Sequence, residues 1–303
     1  MTHRYWDKPW SLVDGCTPCS PGCDHCWSAA MWHRFHKTTQ EGHEDDWLTD
    51  VLIDTRGDLS NWKNIPKQIV WNGQIRVCPE RLEIPLKRRK DTVFAIWNDW
   101  CHENVSHTFR ANIVNTVNDC PQHTILALTK RPNVALDFTE SMTWQKKYTF
   151  PENWWTGLTV CNQQEADEKI PVFLQVPGKK FLSIEPMLGP IDINEAMPLY
   201  EDGPNIDAVI LGGETGPGAR PMHPDWVRSV RDQCAEADVP FFFKQWGEWV
   251  KPMDRNEEDV WGYAGKKSHI FKPDYTGVYR VGKRNAGRLL DGRTHDDLPW
   301  RAK

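Results

Sequence analysis

The sequence predicts an α/β fold in which helices cover a parallel β-sheet, arranged as a partial or complete TIM-like (β/α) barrel. Short β-rich or apolar runs alternate with amphipathic segments between residues 11 and 246, and this order is typical of parallel sheets. The length of 303 residues suits one such domain with a small addition. The chain is 39% hydrophobic and 26% charged, so it can bury a core.

Seven runs are candidate strands, because each is β-rich or apolar and ends in polar, Gly or Pro residues. In chain order they are SLVDG (11–15), TVFAIW (92–97), HTILALT (123–129), WWTGLTV (154–160), KFLSIEP (180–186), DAVILGG (207–213) and VPFFFKQW (239–246). Helices are predicted over residues 104–120, 162–175 and 223–238, and Pro224 suits the first turn of the last one.

Two segments depart from this alternation. Residues 48–79 end in KQIVWNGQIRVCP, whose β-rich arms flank an Asn-Gly turn signal, so we expect a β-hairpin inserted into the main domain of residues 1–250. Residues 251–303 are polar and rich in glycine. They predict a C-terminal extension packed on the barrel, with a short hairpin and an irregular tail over 278–299.

Bulk properties exclude several classes of protein. No apolar run approaches the roughly 20 residues that span a bilayer, and the N-terminus lacks the apolar centre of a signal peptide. We therefore expect a cytoplasmic protein with no membrane partner, in which nine cysteines serve metal or redox chemistry more readily than disulfides. A net charge of −5 argues against tight binding of duplex DNA, although PLKRRKD (85–91) is a candidate basic patch.

Four of the nine cysteines fall within GCTPCSPGCDHC, at Cys16, Cys19, Cys23 and Cys26. A structural zinc site would use all four thiolates, but zinc sites of this kind usually separate two cysteine pairs by many residues. An iron–sulfur cluster distributes its thiolates over several irons, which suits mixed short spacings. Three cysteine ligands on a four-iron cluster would leave one iron open. The first ligand would be Cys16 or Cys19, and Cys23 and Cys26 belong to both possible sets.

Several longer motifs carry a family resemblance. The chain resembles a phage-associated family of uncharacterised radical-SAM-like proteins through GCTPCSPGCDHCW, LALTKRP, LSIEPMLGP, LGGETGPGARPMHPDWVRSVRDQC, VPFFFKQWGEW and AGRLLDGRTHDDLP. The resemblance implies a barrel of the radical-SAM type and a [4Fe-4S] cluster that cleaves S-adenosylmethionine with an electron from a donor. It also implies Cys16, Cys23 and Cys26 as metal ligands, with Cys19 as the alternate first ligand, and Trp27 as an aromatic cover. The implied location is the host cytoplasm, and the implied substrate is a nucleotide or DNA base.

Polar residues at predicted strand ends are candidate cofactor contacts, because active residues of such barrels lie at the carboxyl ends of the strands. Asn98 and Asp99 could bind ribose hydroxyls. Lys130 or Arg131 could pair with a SAM carboxylate or a substrate phosphate, or form an ion pair with Glu185 or Glu214. The glycines and carboxylate of GGE resemble a motif that binds the methionine amino group, although they follow a later strand than is usual. The complete set is Trp27, Asn98, Asp99, Lys130, Arg131, Glu185, Gly212, Gly213, Glu214 and Lys244.

The alternative from another class is a non-catalytic binding module in which the cysteines hold zinc or a structural iron–sulfur cluster.

Overall fold

A seven-stranded, all-parallel β-sheet forms the centre of the molecule, as seen in a computed structural model that describes residues 4–36, 48–53, 67–144, 150–194, 205–252 and 265–301. Its strands follow chain order, with β1 at one edge and β11 at the other. The strands are β1 (Lys8–Ser11), β6 (Val93–Trp97), β7 (Thr124–Thr129), β8 (Trp154–Thr159), β9 (Lys179–Ile184), β10 (Ala208–Gly212) and β11 (Phe241–Gln245). The last six coincide with the predicted apolar runs.

The predicted barrel is wrong, because the sheet is open. Within the described residues β1 pairs only with β6 and β11 only with β10 among the strands of this sheet. The free edge of β11 is instead covered by the C-terminal segment: Phe243 N donates to His295 O at 3.0 Å and Asp297 N donates to Phe241 O at 3.3 Å. These bonds occupy the edge that closure would require. Alternation of strands and helices is common to open and closed sheets, so it could not decide between them.

Helices cover one face of the sheet. They are α2 (His107–Asn118), α3 (Pro132–Trp144), α4 (Gln163–Phe173) and α5 (Pro224–Glu236), while α1 (Trp27–His36) packs on the strands β3 (Thr49–Ile53) and β4 (Lys67–Trp71). Side chains of Ser106, Asn162 and His223 accept hydrogen bonds from the first turns of α2, α4 and α5. The main hydrophobic core lies between these helices and the sheet. No helix of the described residues is long and apolar enough to cross a membrane.

The predicted hairpin around Asn72 and Gly73 is also wrong. Gly73 does turn the chain, with φ at +91°, but the two arms pair with different strands. The first arm, β4, pairs antiparallel with β3, and the second, β5 (Ile75–Val77), pairs antiparallel with β2 (Val13–Gly15). An Asn-Gly signal specifies a local turn, whereas strand pairing is decided by distant partners. Of the predicted insertion, residues 54–66 lie outside the described residues.

The other face of the sheet, which we call the second face, is packed by the two ends of the chain. Tyr5, Leu298 and Trp300 lie against small and apolar side chains of the strands, and Trp300 Nε1 donates to Tyr5 O at 2.9 Å. Within the predicted hairpin range 278–299, Leu290 and Arg293 form an antiparallel bridge with mutual backbone hydrogen bonds of 2.9 and 3.2 Å, but the first residues of the range pair elsewhere. The strand β14 (Gly277–Arg280) pairs with two earlier strands, β12 (Trp249–Val250) and β13 (Ser268–Ile270), and is followed by the short helix α6 (Lys283–Ala286).

Candidate functional site

The four clustered cysteines lie on one loop, residues 16–26, which we call the cysteine loop. It begins where β2 ends and runs into α1 at Trp27. Before it, the buried carboxylate of Asp14 accepts hydrogen bonds from Arg81 at 2.8 Å and Arg76 at 2.9 Å. Burial acts to raise the pKa of Asp14, but these guanidinium groups outweigh it and lower the pKa. A buried ion pair therefore fixes the start of the loop.

The four thiols have different surroundings. Cys19 is exposed, whereas Cys16, Cys23 and Cys26 are half-buried. Cys16 and Cys26 pack against the same small apolar cluster, which includes Trp71. A hydrogen bond between the sulfurs of Cys19 and Cys23 raises the pKa of Cys19 and lowers that of Cys23. Burial raises the pKa of Cys16 to about 12 and also raises that of Cys26.

Lys130, directly after β7, brings a positive charge to these thiols. Burial acts to lower its pKa, but the neighbouring sulfur groups of Cys23, Cys161 and Cys26 raise it overall. Among the described residues no carboxylate lies within 4.0 Å of its ammonium group and no hydrogen-bond acceptor engages it. The Lys130 charge acts to lower the pKa values of Cys23, Cys26 and Cys161, although burial keeps those of Cys26 and Cys161 raised overall.

A fifth thiol, outside the predicted cluster of four, faces the cysteine loop. Cys161 follows β8 at the same edge of the sheet and its sulfur lies 3.7 Å from Ser20 Oγ. A methyl group on Gly22 would lie 2.5 Å from that sulfur, so only glycine allows the loop to approach so closely. Its position after a parallel strand was the available signal, since the carboxyl ends of neighbouring strands share one edge.

The spacing of the loop sulfurs in the fold distinguishes a mononuclear zinc site from an iron–sulfur cluster. A tetrahedral zinc site holds its sulfurs about 3.8 Å apart, given Zn–S bonds of about 2.3 Å. Within the described part of the chain, the one set of three metal-ligating groups within 4.8 Å of each other is His223, Asp225 and Asp274, far from the thiols in sequence. The loop thiols thus lack the compact geometry of a mononuclear site. Thiolates that each bind a different iron need no such closeness.

Asp99 and Arg131, two of the predicted cofactor contacts, bind each other. Arg131 Nη1 donates to Asp99 Oδ2 at 2.7 Å, and Thr129 Oγ1 donates to Asp99 Oδ1 at 2.6 Å. Arg131 also binds Glu103 at 2.8 Å and donates to the carbonyl of Thr17 at 2.9 Å. The expected ion pair of Arg131 with Glu185 or Glu214 is therefore wrong, because the carboxylates nearer in the fold are Asp99 and Glu103. Arg131 holds the cysteine loop to the sheet.

Asn98 has a similar internal role. Its φ of 59° lies in the left-handed region that asparagine tolerates. Its amide donates to Val13 O at 2.7 Å, and its side-chain oxygen accepts a hydrogen bond from Ser28 at 2.8 Å. Asn98 therefore links the two ends of the cysteine loop. A contact of Asn98 or Asp99 with ribose hydroxyls stays a prediction.

The GGE motif packs on protein rather than presenting free glycines. A methyl group on Gly213 would lie 2.1 Å from the carbonyl oxygen of Trp246, and one on Gly212 would lie 3.2 Å from a Glu185 oxygen. The glycines thus let the end of β10 lie against the chain that follows β11. Glu214 is buried and accepts from Arg220 at 2.6 and 2.9 Å.

Arg220 extends this contact to the cysteine loop. Its guanidinium donates to Asp24 at 3.0 Å and to the carbonyl of Pro21 at 2.8 Å. Two residues earlier, Gly218 lies so close to the ring of His25 that a methyl group would be 2.3 Å from it. The segment after β10 therefore holds the cysteine loop in place, and the buried Glu214 carboxylate fixes the position of Arg220. Arg220 was not among the predicted site residues.

Glu185 and Lys244 form an ion pair on the second face, at 2.9 Å. Tyr5 donates to Glu185 at 3.3 Å, and burial followed by the Glu185 charge raises the pKa of Tyr5. Lys244 also lies 5.3 Å from the centre of the Tyr5 ring. Trp27, predicted to cover a cluster, is 53% exposed and contacts Trp97 edge to face at 5.0 Å.

The chain is thus an α/β protein with a thiol-rich loop at the carboxyl edge of an open parallel sheet. Residues 2–299 match the family model described as "Protein of unknown function (DUF5131)", and the chain belongs to that family. Neither a curated protein nor a solved structure matches the chain.

Proposed function

We propose that this protein is a radical S-adenosylmethionine enzyme in which three thiolates of the cysteine loop hold a [4Fe-4S] cluster. The observation that carries the proposal is the ammonium of Lys130, which lacks a carboxylate partner among the described residues and lies beside Cys23 and Cys26. Thiolates are the ligands of such clusters. A cation among them offsets the negative charge that they gather.

Cys23 and Cys26 are the two ligands we regard as fixed, and Cys16 is the favoured third. Cys16 packs on the same apolar cluster as Cys26, whereas Cys19 is exposed and lines a cavity of about 270 Å³ beside Lys130. Leaving Cys19 off the metal keeps one iron open for a small molecule. The resemblance supplies that molecule, S-adenosylmethionine, and a separate electron donor.

When bound, the cluster would supply the electron that cleaves the sulfonium bond, and the resulting radical chemistry would remove hydrogen from a substrate. The chain's own residues have other roles. Arg131 and Arg220 hold the cysteine loop to the sheet, and Lys130 balances the thiolate charge. The nucleotide or DNA-base substrate and the cytoplasmic location are part of the same proposal.

Anaerobic reconstitution with iron and sulfide tests this function. We expect a brown protein with close to four irons per chain, which cleaves S-adenosylmethionine when a low-potential reductant is added. One tightly bound zinc per chain, with no cleavage, would contradict the proposal and favour the binding module.

Single Cys→Ala variants define the ligands. Variants at Cys23 and Cys26 should lose the iron, and only one of the variants at Cys16 and Cys19 should do so. Cys234→Ala, which changes a buried cysteine on α5, is the matched control and should keep the iron. Retention of iron in both the Cys16 and the Cys19 variant would refute the three-ligand set.

A further inference from the structure

The second face changes character along its strands. Towards the amino ends it is apolar and covered by Tyr5, Leu298 and Trp300. At the carboxyl ends its side chains include Trp97, Glu185 and Lys244, next to the cysteine loop. Because strand residues alternate between faces, these three share the face with the buried Ala95 and Phe242. This end of the face adjoins the cysteine loop, because Trp27 at the end of the loop contacts Trp97.

A row of tryptophans leads across this end from the cysteine loop. Trp27 directly follows Cys26 and is 53% exposed. Its ring centre lies 5.0 Å from that of Trp97, which in turn lies 5.7 Å from that of Trp6. Trp97 and Trp6 are only partly buried. Large aromatic surfaces left in contact with water are suited to stacking on flat rings.

Positive charges continue the row. The guanidinium of Arg4 lies 4.9 Å from the centre of the Trp6 ring. Lys244 lies 5.3 Å from the ring centre of Tyr5, the neighbour of Trp6 in the chain. Burial, Lys244 and Arg4 lower the pKa of Lys283, while Glu185 and Glu248 act to raise it, which places Lys283 near the same charges. Glu185, bound to Lys244, and Glu248 offset two of the three positive charges. The excess is positive in a protein whose net charge is −5.

We propose that this end of the second face binds a phosphate-bearing nucleobase, with the base stacked on Trp27 or Trp97 and the phosphate among Arg4, Lys244 and Lys283. This inference rests on the proposed function, because it names the substrate class of the same site. Interleaved aromatic and basic side chains are the pattern by which proteins hold unpaired bases and their phosphates. A free nucleotide and a single strand share that chemistry.

Fluorescence anisotropy of a labelled single-stranded DNA 12-mer, added to the full-length reconstituted protein, tests the proposal. Trp27→Ala should weaken binding at least fivefold, from a stacking contribution of about 1 kcal/mol or more per base. Lys283→Ala should weaken it at least threefold and reduce the slope of log affinity against log salt by about 0.7. The duplex of the same sequence should bind more weakly, because its bases are already stacked.

Two control variants and one competitor complete the design. Tyr275→Ala removes an aromatic ring that is 71% exposed elsewhere, and Lys87→Ala removes a lysine of the basic run 85–91; both should bind as wild type. Competition by dAMP at micromolar concentration would identify a free nucleotide as the ligand, and its failure would identify the single strand.

Equal binding by wild type, Trp27→Ala and Lys283→Ala would overturn the inference, as would loss of binding in Lys87→Ala or tighter binding of the duplex. A protein that cleaves S-adenosylmethionine but binds neither probe would overturn this inference, together with the nucleotide or DNA-base substrate, and would leave the proposed cluster and its cleavage of S-adenosylmethionine standing. A protein that binds the probes through Trp27 and Lys283 but takes up no iron would overturn the proposed function alone.

Discussion

Arg220 offers the sharpest test of how the cysteine loop is held. Replacing it by methionine removes the guanidinium and leaves the Glu214 carboxylate, 4% exposed, without its charged partner. Breaking a fully buried ion pair from one side costs about 3–5 kcal/mol. The Arg220 side chain is 31% exposed, so water can partly solvate the site. The bond to Asp24, which is 56% exposed, adds at most about 0.5 kcal/mol.

We therefore expect Arg220→Met to lower the free energy of unfolding by about 2–3 kcal/mol, measured by urea denaturation. Adding Glu214→Gln should recover about 1 kcal/mol or more, because the amide no longer leaves a charge buried without a partner. Amide hydrogen exchange should also speed up in residues 20–26, since the variant loses the bond to the carbonyl of Pro21.

The control is Lys87→Met, whose ion pair with Glu83 is exposed on both sides, at 74% and 63%. Its unfolding free energy should stay within about 0.5 kcal/mol of wild type. If Arg220→Met behaves like this control, with an unchanged dependence on urea, the segment after β10 does not anchor the loop.

Three further predictions concern the same edge of the sheet. Asp99→Asn should lower the unfolding free energy by about 2–4 kcal/mol, because Arg131 keeps its charge but loses its buried partner. Urea denaturation measures this free energy, and a loss below about 0.5 kcal/mol would contradict the prediction. Gly213→Ala should be destabilised by more than about 3 kcal/mol or fail to fold, since its methyl would meet the Trp246 carbonyl at 2.1 Å. The control is Gly277→Ala, which has open space around it. Equal melting temperatures of the two variants would refute the clash. The pKa of Asp14 is lowered on folding, so its stabilisation is present above about pH 4 and is lost as the pH falls through the folded pKa. Wild type and Asp14→Asn should therefore differ in melting temperature at pH 7 and converge as the pH falls through the lowered folded pKa of Asp14, and a constant difference would contradict this origin.

The strands from β6 to β11 were predictable because each of them is a largely apolar run that is mostly buried on both faces, as parallel strands are. Six of the seven predicted runs coincide with strands of the sheet. The remaining run, residues 11–15, which comes first in the chain, is divided between β1 and β2, because Val13 pairs with Val77 outside the main sheet. Neither that division nor the open edge at β11 has a local signal. Both depend on partners that are 50 or more residues away along the chain.

The polar edge at which the candidate site is proposed was predictable, whereas the contacts along it were not. Residue types at strand ends correctly indicated one polar edge, but the sequence does not show that Arg131 reaches Asp99 rather than Glu185. Asp99 and Arg131 follow neighbouring strands, β6 and β7, so strand order could have suggested that pair. Arg220 lies in a loop without periodicity, and only the fold brings it to Asp24 and Pro21.

The C-terminal segment that covers the outer edge of β11 has a consequence for synthesis of the protein. The sheet is built from strands in chain order, so β11 is the last of them to be made, and its outer edge stays open until residues 295–297 emerge. An open strand edge pairs readily with other chains. The nascent protein is therefore prone to aggregation until residues 295–297 are added. Expression of a chain shortened before residue 295 should yield insoluble material.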